Sequence, residues 1–302
     1  MATTANRVQY DPNAEFKFKI FDVTYYTDKD GKDWKLRIYQ PEGEGPFPAI
    51  IDVHGGQWRG GDRTQNTLID SELAATGVVV AAVEFRTSTS APYPAQIQDT
   101  NLATRWFKAH AADFKADVEH LGVNGTSSGG HTSAMAHMWY NDPRYAALPL
   151  PEAPNVDASV DYQMLLWAVL DPFLRFEYGK TVDLTDKALL ASGMGMDQIP
   201  ANSFQYFVTE DAMKEGNPTL RLNRGDIVSL PDTLIVQGYP DGNVPRPIVW
   251  NFEDAYVKAG GNIEVWWGVG APHGFAREKS YEHDRAMGVM KKFIAKHVNV
   301  TA

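Results

Sequence analysis

The chain of 302 residues contains no cysteine. This absence excludes disulfide bonds, thiol nucleophiles and cysteine-ligated metals. The eight histidines show no HExxH or comparable ligand spacing, so we expect no metal. Basic residues are also scarce, since 28 Lys and Arg stand against 38 Asp and Glu. The resulting net charge of −10 argues against nucleic acid or an anionic membrane surface as partner, because both require clustered Lys and Arg.

Long apolar runs are missing as well. No stretch approaches the roughly twenty apolar residues that a membrane-spanning helix needs. Residues 1–7 lack the apolar core of a secretory signal peptide. These absences predict a soluble, cytoplasmic protein that does not bind membranes. The length suits a single large domain over residues 1–302 that carries an insertion.

Segments with strand and helix patterns alternate along the chain. Residues 16–26 and 34–40 alternate apolar and polar side chains around Asp30-Gly31, which predicts an antiparallel hairpin. The continuous apolar runs 47–53 and 78–83 are typical of strands covered on both faces. We predict further strands at 119–124, 162–170, 233–236 and 263–267, and helices at 66–75, 96–111, 130–139, 247–259 and 277–297. This order predicts an α/β fold with a mostly parallel twisted sheet and helices on both faces.

Residues 172–230 interrupt this alternation. The segment is rich in aromatic side chains and methionine among Pro and Gly. We interpret it as an aromatic-rich cap insertion over the carboxyl edge of the sheet, not as a separate domain. Residues 1–20 form an N-terminal arm, and the sequence leaves open whether this arm folds over the pocket.

One serine has the surroundings of a catalytic nucleophile. Ser127 lies in Gly125-Thr126-Ser127-Ser128-Gly129, the G-x-S-x-G pattern of a sharp strand-to-helix turn. The predicted strand 119–124 precedes it and the predicted helix 130–139 follows it. Glycine is needed on both sides because the strained turn brings the two backbones close to the serine. The pattern therefore predicts an exposed, nucleophilic hydroxyl.

A serine of high pKa attacks a carbonyl only if a base removes its proton, and that base needs an acid to orient it. Asp241 follows the predicted strand 233–236, and His273 follows the strand 263–267. The chain order Ser, Asp, His is the one expected when these residues end successive strands of such a sheet. We therefore predict a catalytic triad of Ser127, Asp241 and His273. A plain Asp-Gly turn is the alternative interpretation of Asp241.

A glycine-rich loop, His54-Gly55-Gly56-Gln57, directly follows the buried strand 47–53. A loop in this position can aim backbone N–H groups at the negative charge that develops on a carbonyl oxygen. Gly56 and Gln57 are the predicted donors of this oxyanion hole, together with the N–H of Ser128.

These motifs resemble those of α/β-hydrolases of the hormone-sensitive-lipase and BD-FAE (feruloyl/acetyl esterase) type, with kynurenine-formamidase-like proteins as relatives. The resemblance spans roughly residues 35–297 and is carried by His54-Gly-Gly-x-Trp58, Tyr93-Pro-Ala-Gln-Ile-Gln-Asp99, Arg105-Trp106, Gly125–His131, Asp241-Gly-x-Val-Pro245 and His273-Gly-Phe275. It implies a cofactor-free serine esterase or amidase that acts through an acyl-enzyme.

Two residues depart from the family pattern. Gln57 stands where Gly, Ala or Tyr is common, and Ser128 stands where Ala is usual. Neither change removes a backbone donor, so the implied hydrolysis is compatible with both. A Gln side chain near the acyl group nevertheless puts an inherited substrate preference in doubt.

The sequence thus predicts a carboxylic-ester hydrolase whose small-molecule substrate is a small or medium ester, aromatic esters included. Because the cap is rich in aromatic residues, we expect a largely apolar pocket. The candidate substrate-binding residues are Trp58, Phe173, Phe207 and Tyr239.

Several alternatives stay open. An amidase or formamidase would use the same triad, and a non-catalytic ligand receptor or a lyase can occur on the same fold. The identity of the ester, the pathway and the oligomeric state, with a homo-oligomer among the options, are not determined by the sequence.

Overall fold

The computed structural model describes residues 7–299 and contains one eight-stranded sheet in the order β1-β2-β4-β3-β5-β6-β7-β8. The strands are β1 (Phe18–Thr27), β2 (Asp33–Pro41), β3 (Phe47–Val53), β4 (Val79–Val83), β5 (Ala116–Thr126), β6 (Tyr162–Leu166), β7 (Asp232–Tyr239) and β8 (Ile263–Val269). β1 and β2 form the expected antiparallel hairpin, and β2 pairs antiparallel with β4. All other neighbours are parallel, which confirms the predicted sheet.

Helices cover both faces, as predicted. The helices are α1 (Thr67–Ala75), α2 (Ala95–Ala109), α3 (Ser128–Met138), α4 (Pro172–Thr181), α5 (Lys187–Ser192), α6 (Ile199–Phe207), α7 (Glu210–Glu215), α8 (Pro218–Asn223), α9 (Arg246–Lys258) and α10 (Tyr281–Val298). Apolar residues of α1 and α10 share one core cluster, whereas those of α2, α3 and α9 belong to clusters on the other face. Every residue of β3 and β4 is buried, because each strand is covered from both sides.

Most predicted boundaries differ from the observed ones by one to three residues, and two are wrong by four. The strand that starts at Tyr162 ends at Leu166, not at 170, because Trp167 has a positive φ of 39° and turns the chain away from the sheet. The last helix begins at Tyr281, not at 277. The Ser280 side chain caps it by accepting the N–H of His283 at 3.1 Å, and Phe275–Arg277 form a separate 3₁₀ turn.

The segment between β6 and β7 contains the five short helices α4 to α8. Four of them begin at a polar side chain that accepts a backbone N–H of the first turn, namely at Asp171, Asp186, Thr209 and Asn217. The segment contacts the loops that follow β3, β7 and β8. It therefore lies over the carboxyl ends of these strands.

Residues 8–16, the described part of the N-terminal arm, lie at the edge of the sheet formed by the amino ends of the strands. The N–H of Val8 donates to the carbonyl of Pro46, just before β3, and the N–H of Phe16 donates to that of Ala75, just before β4. These contacts place residues 8–16 at the amino ends of the strands, away from the cap. Residues 1–6 of the predicted arm lie outside the described residues. None of the helices within 7–299 is both long enough and apolar enough to cross a bilayer.

Candidate active site

Ser127 is the single residue between the end of β5 and the start of α3, and its backbone angles are φ 55° and ψ −122°. A non-glycine residue in this region costs about 1–3 kcal/mol and persists only where its surroundings hold it. Here the Ser127 N–H donates to the Leu166 carbonyl at 2.9 Å, and the Ser127 carbonyl accepts the N–H of Val169 at 3.1 Å. The parallel neighbour β6 therefore holds the strained turn in place.

Gly125 and Gly129 flank Ser127 at points where neighbouring backbone segments come too close for a side chain. A Cβ on Gly129 would stand 2.2 Å from the His54 carbonyl oxygen, and one on Gly125 would stand 2.8 Å from the Gly130 Cα. Both contacts are with backbone atoms, which cannot yield without moving the turn. The need for glycine predicted at both positions thus has a steric cause.

This packing gives a stability prediction. We expect Gly129→Ala to lower the free energy of unfolding by about 3 kcal/mol, because the new methyl group collides with the loop after β3. Chemical denaturation monitored by circular dichroism measures the change. Gly288→Ala is the matched control: it lies inside α10 with nothing within 4 Å of the added Cβ. It should raise stability by about 0.5–1 kcal/mol. Equal effects of the two substitutions would contradict the steric explanation.

The structure brings the three predicted triad residues together. Ser127 Oγ lies 3.0 Å from His273 Nε2, and His273 Nδ1 lies 2.9 Å from Asp241 Oδ2. All three are nearly buried, with exposures of 3% for Ser127, 7% for His273 and 8% for Asp241. A histidine that donates from Nδ1 to the carboxylate presents Nε2 as an acceptor to the serine hydroxyl. The geometry therefore suits proton transfer from Ser127 to His273.

The Asp241 carboxylate is held by several donors. Its Oδ1 accepts the backbone N–H groups of Asn243 at 2.8 Å and Val244 at 2.9 Å. Its Oδ2 accepts the Gln237 side-chain amide at 2.9 Å in addition to the His273 contact. These bonds exclude the interpretation of Asp241 as a solvent-exposed turn residue, because the carboxylate is buried and aimed at the imidazole.

The predicted oxyanion loop lies against the nucleophile. A Cβ on Gly55 would stand 2.9 Å from the Ser127 Cβ. Gly56 and Gln57 have positive φ values of 113° and 53°. Within the described residues, the backbone N–H groups of Gly56, Gln57 and Ser128 donate no hydrogen bond to the protein. Gly56 and Gln57 line the same cavity as Ser127, and unpaired N–H groups in such loops are what an oxyanion hole requires.

The two departures from the family pattern have structural roles that the sequence did not reveal. Ser128 Oγ accepts the N–H of Trp58 at 3.0 Å and so ties the loop after β3 to the elbow. The Gln57 side chain donates to the Gly195 carbonyl at 2.9 Å and accepts from Asn202 at 3.1 Å. Gln57 therefore connects the same loop to the cap.

The cap also binds the loops that carry the acid and the base. The Ser192 carbonyl accepts the N–H groups of His273 at 2.9 Å and Gly242 at 3.2 Å, and Asn243 donates its side-chain amide to the Met194 carbonyl at 2.6 Å. Residues 192–195 thus contact all three site loops outside the elbow, so the position of this segment is coupled to the positions of Asp241 and His273.

None of the four predicted substrate-binding aromatics lines the cavity at Ser127, so this interpretation is corrected. Trp58 and Phe207 are each only 1% exposed, and Trp58 stacks on Tyr206 with centroids 5.3 Å apart. Phe173 packs against the same core cluster. Tyr239 is 39% exposed, with the Arg246 guanidinium 4.5 Å from its ring centre. Trp58, Phe173 and Phe207 therefore pack in or against one core cluster, and Tyr239 lies at the protein surface.

The cavity that contains Ser127 and His273 has a volume of about 410 Å³ and a mixed wall, because most of its lining side chains are polar while the surface they expose is somewhat more apolar than polar. Its other lining residues are Gly56, Gln57, Arg59, Gly60, Gln65, Thr89, Met194, Gly195, Gln198, Asn202, Asn243 and Arg277. A second cavity of about 590 Å³ adjoins it and shares Met194, His273 and Arg277. The two cavities therefore meet at His273 and Arg277.

Buried polar groups support the floor of the site. Burial raises the pKa of Asp52 to about 6, although Asn66 and Asn124 both donate to its carboxylate. Burial lowers the pKa of His54 to about 4, so this imidazole is neutral at physiological pH. Its ring stacks on Phe85 at 4.2 Å. His54 therefore has a packing role, and His273 is the histidine that contacts the nucleophile.

One cluster of metal-ligand types lies outside the site. Glu72, His283 and Asp284 lie together among the described residues. Lys279 Nζ lies 2.6 Å from Glu72 Oε1 and 2.7 Å from Asp284 Oδ1. An ammonium group already occupies the position that a cation would take.

Comparison with known proteins agrees with this architecture. The chain is 30% identical over 237 residues to esterase LipC of Mycobacterium tuberculosis, covering 76% of this chain and 53% of the relative. It is 31% identical over 176 residues to carboxylesterase NlhH of the same species, covering 52% of this chain and 53% of the relative. The chain spans about half the length of these curated relatives.

Solved structures show the same fold. A thermophilic esterase of the Planctomycetes species Thermogutta terrifontis, with butyrate bound, superposes with a TM-score of 0.72 at 23% identity, over 93% of this chain and 95% of that one. The same esterase phosphonylated by sarin has a TM-score of 0.73 at 22% identity, over 94% and 96%.

The sheet order, the strained serine and its imidazole and carboxylate partners define an α/β-hydrolase. Residues 36–247, well over half of the chain, match the family model BD-FAE. The chain therefore belongs to the BD-FAE family of α/β-hydrolases.

Proposed function

We propose that this protein is a serine carboxylesterase. One observation carries the proposal: Ser127 Oγ, the His273 imidazole and the Asp241 carboxylate form a line with contacts of 3.0 and 2.9 Å. The free N–H groups of Gly56, Gln57 and Ser128 beside the hydroxyl support it. The proposal treats residues 1–302 as one catalytic domain with 172–230 as its cap.

In the proposed reaction, His273 Nε2 takes the proton of Ser127 as Oγ attacks the ester carbonyl. Asp241 stabilises the imidazolium, and the three N–H groups bind the oxyanion of the tetrahedral intermediate. The imidazolium then protonates the departing alcohol and leaves an acyl-enzyme. Water repeats the sequence on the acyl-enzyme, releases the carboxylic acid and restores Ser127.

The proposed substrates are esters with small or medium acyl groups. A cavity of about 410 Å³ at the nucleophile has room for such groups. The Thermogutta terrifontis esterase, which has the same fold, has been solved with butyrate and with propionate bound.

An amidase would use the same groups, and protonation of the leaving group is its harder step. Comparing kcat/KM for an ester and an amide with the same acyl group separates the two activities. We expect the ester to react faster. A receptor without turnover, or a lyase, has no specific support from the arrangement of Ser127, His273 and Asp241.

A fluorophosphonate probe tests the proposal directly. We expect the native protein to be labelled at Ser127, because only a hydroxyl with an adjacent base reacts rapidly with such a probe. Intact mass spectrometry followed by peptide mapping locates the adduct. Protein denatured before exposure is the control and should remain unlabelled. Absence of labelling in the native protein, or labelling of another serine, would refute the proposed nucleophile.

A further inference from the structure

A second charged side chain lies beside the nucleophile. Arg277 belongs to the short turn that follows His273, and it lines the cavity that contains Ser127. Its Nη2 lies 3.0 Å from the point where a Cβ on Gly55 would stand, and the Ser127 Cβ lies 2.9 Å from that same point. The guanidinium and the nucleophile therefore flank one glycine.

Arg277 has no carboxylate partner within hydrogen-bonding distance among residues 7–299. Nη2 donates to two neutral acceptors, Gln65 Oε1 at 3.1 Å and Thr126 Oγ1 at 3.3 Å. Nε is buried without any hydrogen bond. In the part of the chain that the structure describes, Arg277 forms no salt bridge and its Nη1 makes no hydrogen bond. A largely buried guanidinium normally pairs with an acid, because an unpaired buried charge is costly.

The cavity wall has the opposite charge sign to the protein as a whole. Among its described lining residues there are two arginines, Arg59 and Arg277, and no Asp or Glu, whereas the chain has a net charge of −10. Burial lowers the pKa of Arg277 to about 10 while the nearby Asp52 opposes the shift. The guanidinium is therefore charged at neutral pH, and the cavity presents a fixed positive charge to a ligand.

We propose that Arg277 binds a carboxylate of the substrate, so that the enzyme prefers esters that carry an anionic group a short spacer away from the scissile carbonyl. This inference rests on the proposed esterase function and specifies its substrate class. Half-esters of short dicarboxylic acids place the charge on the acyl side, and O-acylated hydroxy acids place it on the alcohol side. Nη1, which makes no hydrogen bond within residues 7–299, is the donor at the end of the planar guanidinium fork that such a carboxylate would meet.

Isosteric substrate pairs test the preference. Monoethyl succinate against ethyl succinamate changes only the charge of the acyl side, and acetoxyacetate against acetoxyacetamide changes only that of the alcohol side. Ethanol or acetate release gives kcat/KM for each. The expected result is a higher kcat/KM for the charged member of at least one pair, and the pair that shows it identifies the side that faces Arg277.

Substitutions at Arg277 test whether this residue causes the preference for charged esters. In Arg277→Gln, the charged-to-neutral ratio of kcat/KM should fall about 10- to 100-fold, the usual effect of a charge-assisted hydrogen bond. Arg277→Lys should retain part of the ratio, because it keeps the charge and loses the planar fork. Arg224→Gln is the matched control, since Arg224 is an exposed arginine at the end of α8 that lines neither cavity. Its ratio should change by less than about threefold.

A purely structural Arg277 would behave differently. If Arg277→Gln lowers kcat/KM for charged and neutral esters in parallel, or if the native enzyme prefers neither charged substrate, the inference is overturned. Inhibition of native 4-nitrophenyl acetate hydrolysis by succinate but not by succinamide supports it without any variant, and equal inhibition opposes it. If the native enzyme hydrolyses neither 4-nitrophenyl acetate nor the neutral esters, the proposed function fails instead.

Discussion

Replacing Ser127 with alanine should lower kcat on 4-nitrophenyl acetate by about 10⁵- to 10⁶-fold, because no covalent route remains. The residual rate would come from the oxyanion donors alone. The fold should persist, since within residues 7–299 the only hydrogen bond of the hydroxyl is to His273 Nε2, and the strained backbone is held by main-chain bonds to residues 166 and 169. Steady-state kinetics and circular dichroism measure the two effects.

Ser133→Ala is the matched control for this substitution. Ser133 lies in the same helix α3, is fully buried, and its hydroxyl makes no hydrogen bond. Its removal should leave kcat within about twofold, as for a substitution outside the site. A Ser127→Ala enzyme that keeps a tenth or more of the native rate would exclude Ser127 as the nucleophile.

The parts of the molecule that could be predicted from the sequence are those governed by local pattern. β3 and β4 are buried along their whole length, so their residues are apolar with the exception of Asp52. The elbow needs glycine where backbones meet, and Asp241 and His273 follow strands whose carboxyl ends lie side by side. Chain order alone therefore placed these residues at one edge of the sheet.

The cap was predicted as a segment but not as helices. α5, α7 and α8 have only six residues each, too few to be stable without tertiary contacts. The polar residues at their starts were a usable signal, since Asp171-Pro172 and Asn217-Pro218 are typical of a helix beginning. Aromatic side chains gave the wrong expectation because an apolar ring fits a core and a pocket equally well. Trp58 and Phe207 lie in the core.

Arg277 was missed because the predicted last helix included it. Residues 277–280, Arg-Glu-Lys-Ser, contain no apolar side chain and no Pro or Gly, so the apolar pattern does not separate them from α10. The serine cap at 280 was the signal that separates the turn from the helix. A difference of four residues in this boundary changes the interpretation of Arg277 from a surface charge to a lining residue of the cavity.

Asp241→Asn should reduce kcat by about 10⁴-fold while leaving the structure nearly unchanged. The two backbone N–H groups at Oδ1 require an oxygen there, because they donate from Asn243 and Val244. The new amide NH₂ must then take the place of Oδ2 and point its protons at His273 Nδ1, which lies 2.9 Å from Oδ2 in the native site. The imidazole responds by carrying its proton on Nε2.

With its proton on Nε2, His273 can no longer accept the proton of Ser127, so the loss comes from the wrong tautomer and not from a missing contact. This cause predicts a fall in kcat with little change in KM, measured on 4-nitrophenyl acetate. Asp254→Asn, at an exposed carboxylate in α9, is the control and should keep the native kcat. If Asp241→Asn stays within tenfold of the native rate, Asp241 does not orient His273, and the triad reduces to the Ser127–His273 pair.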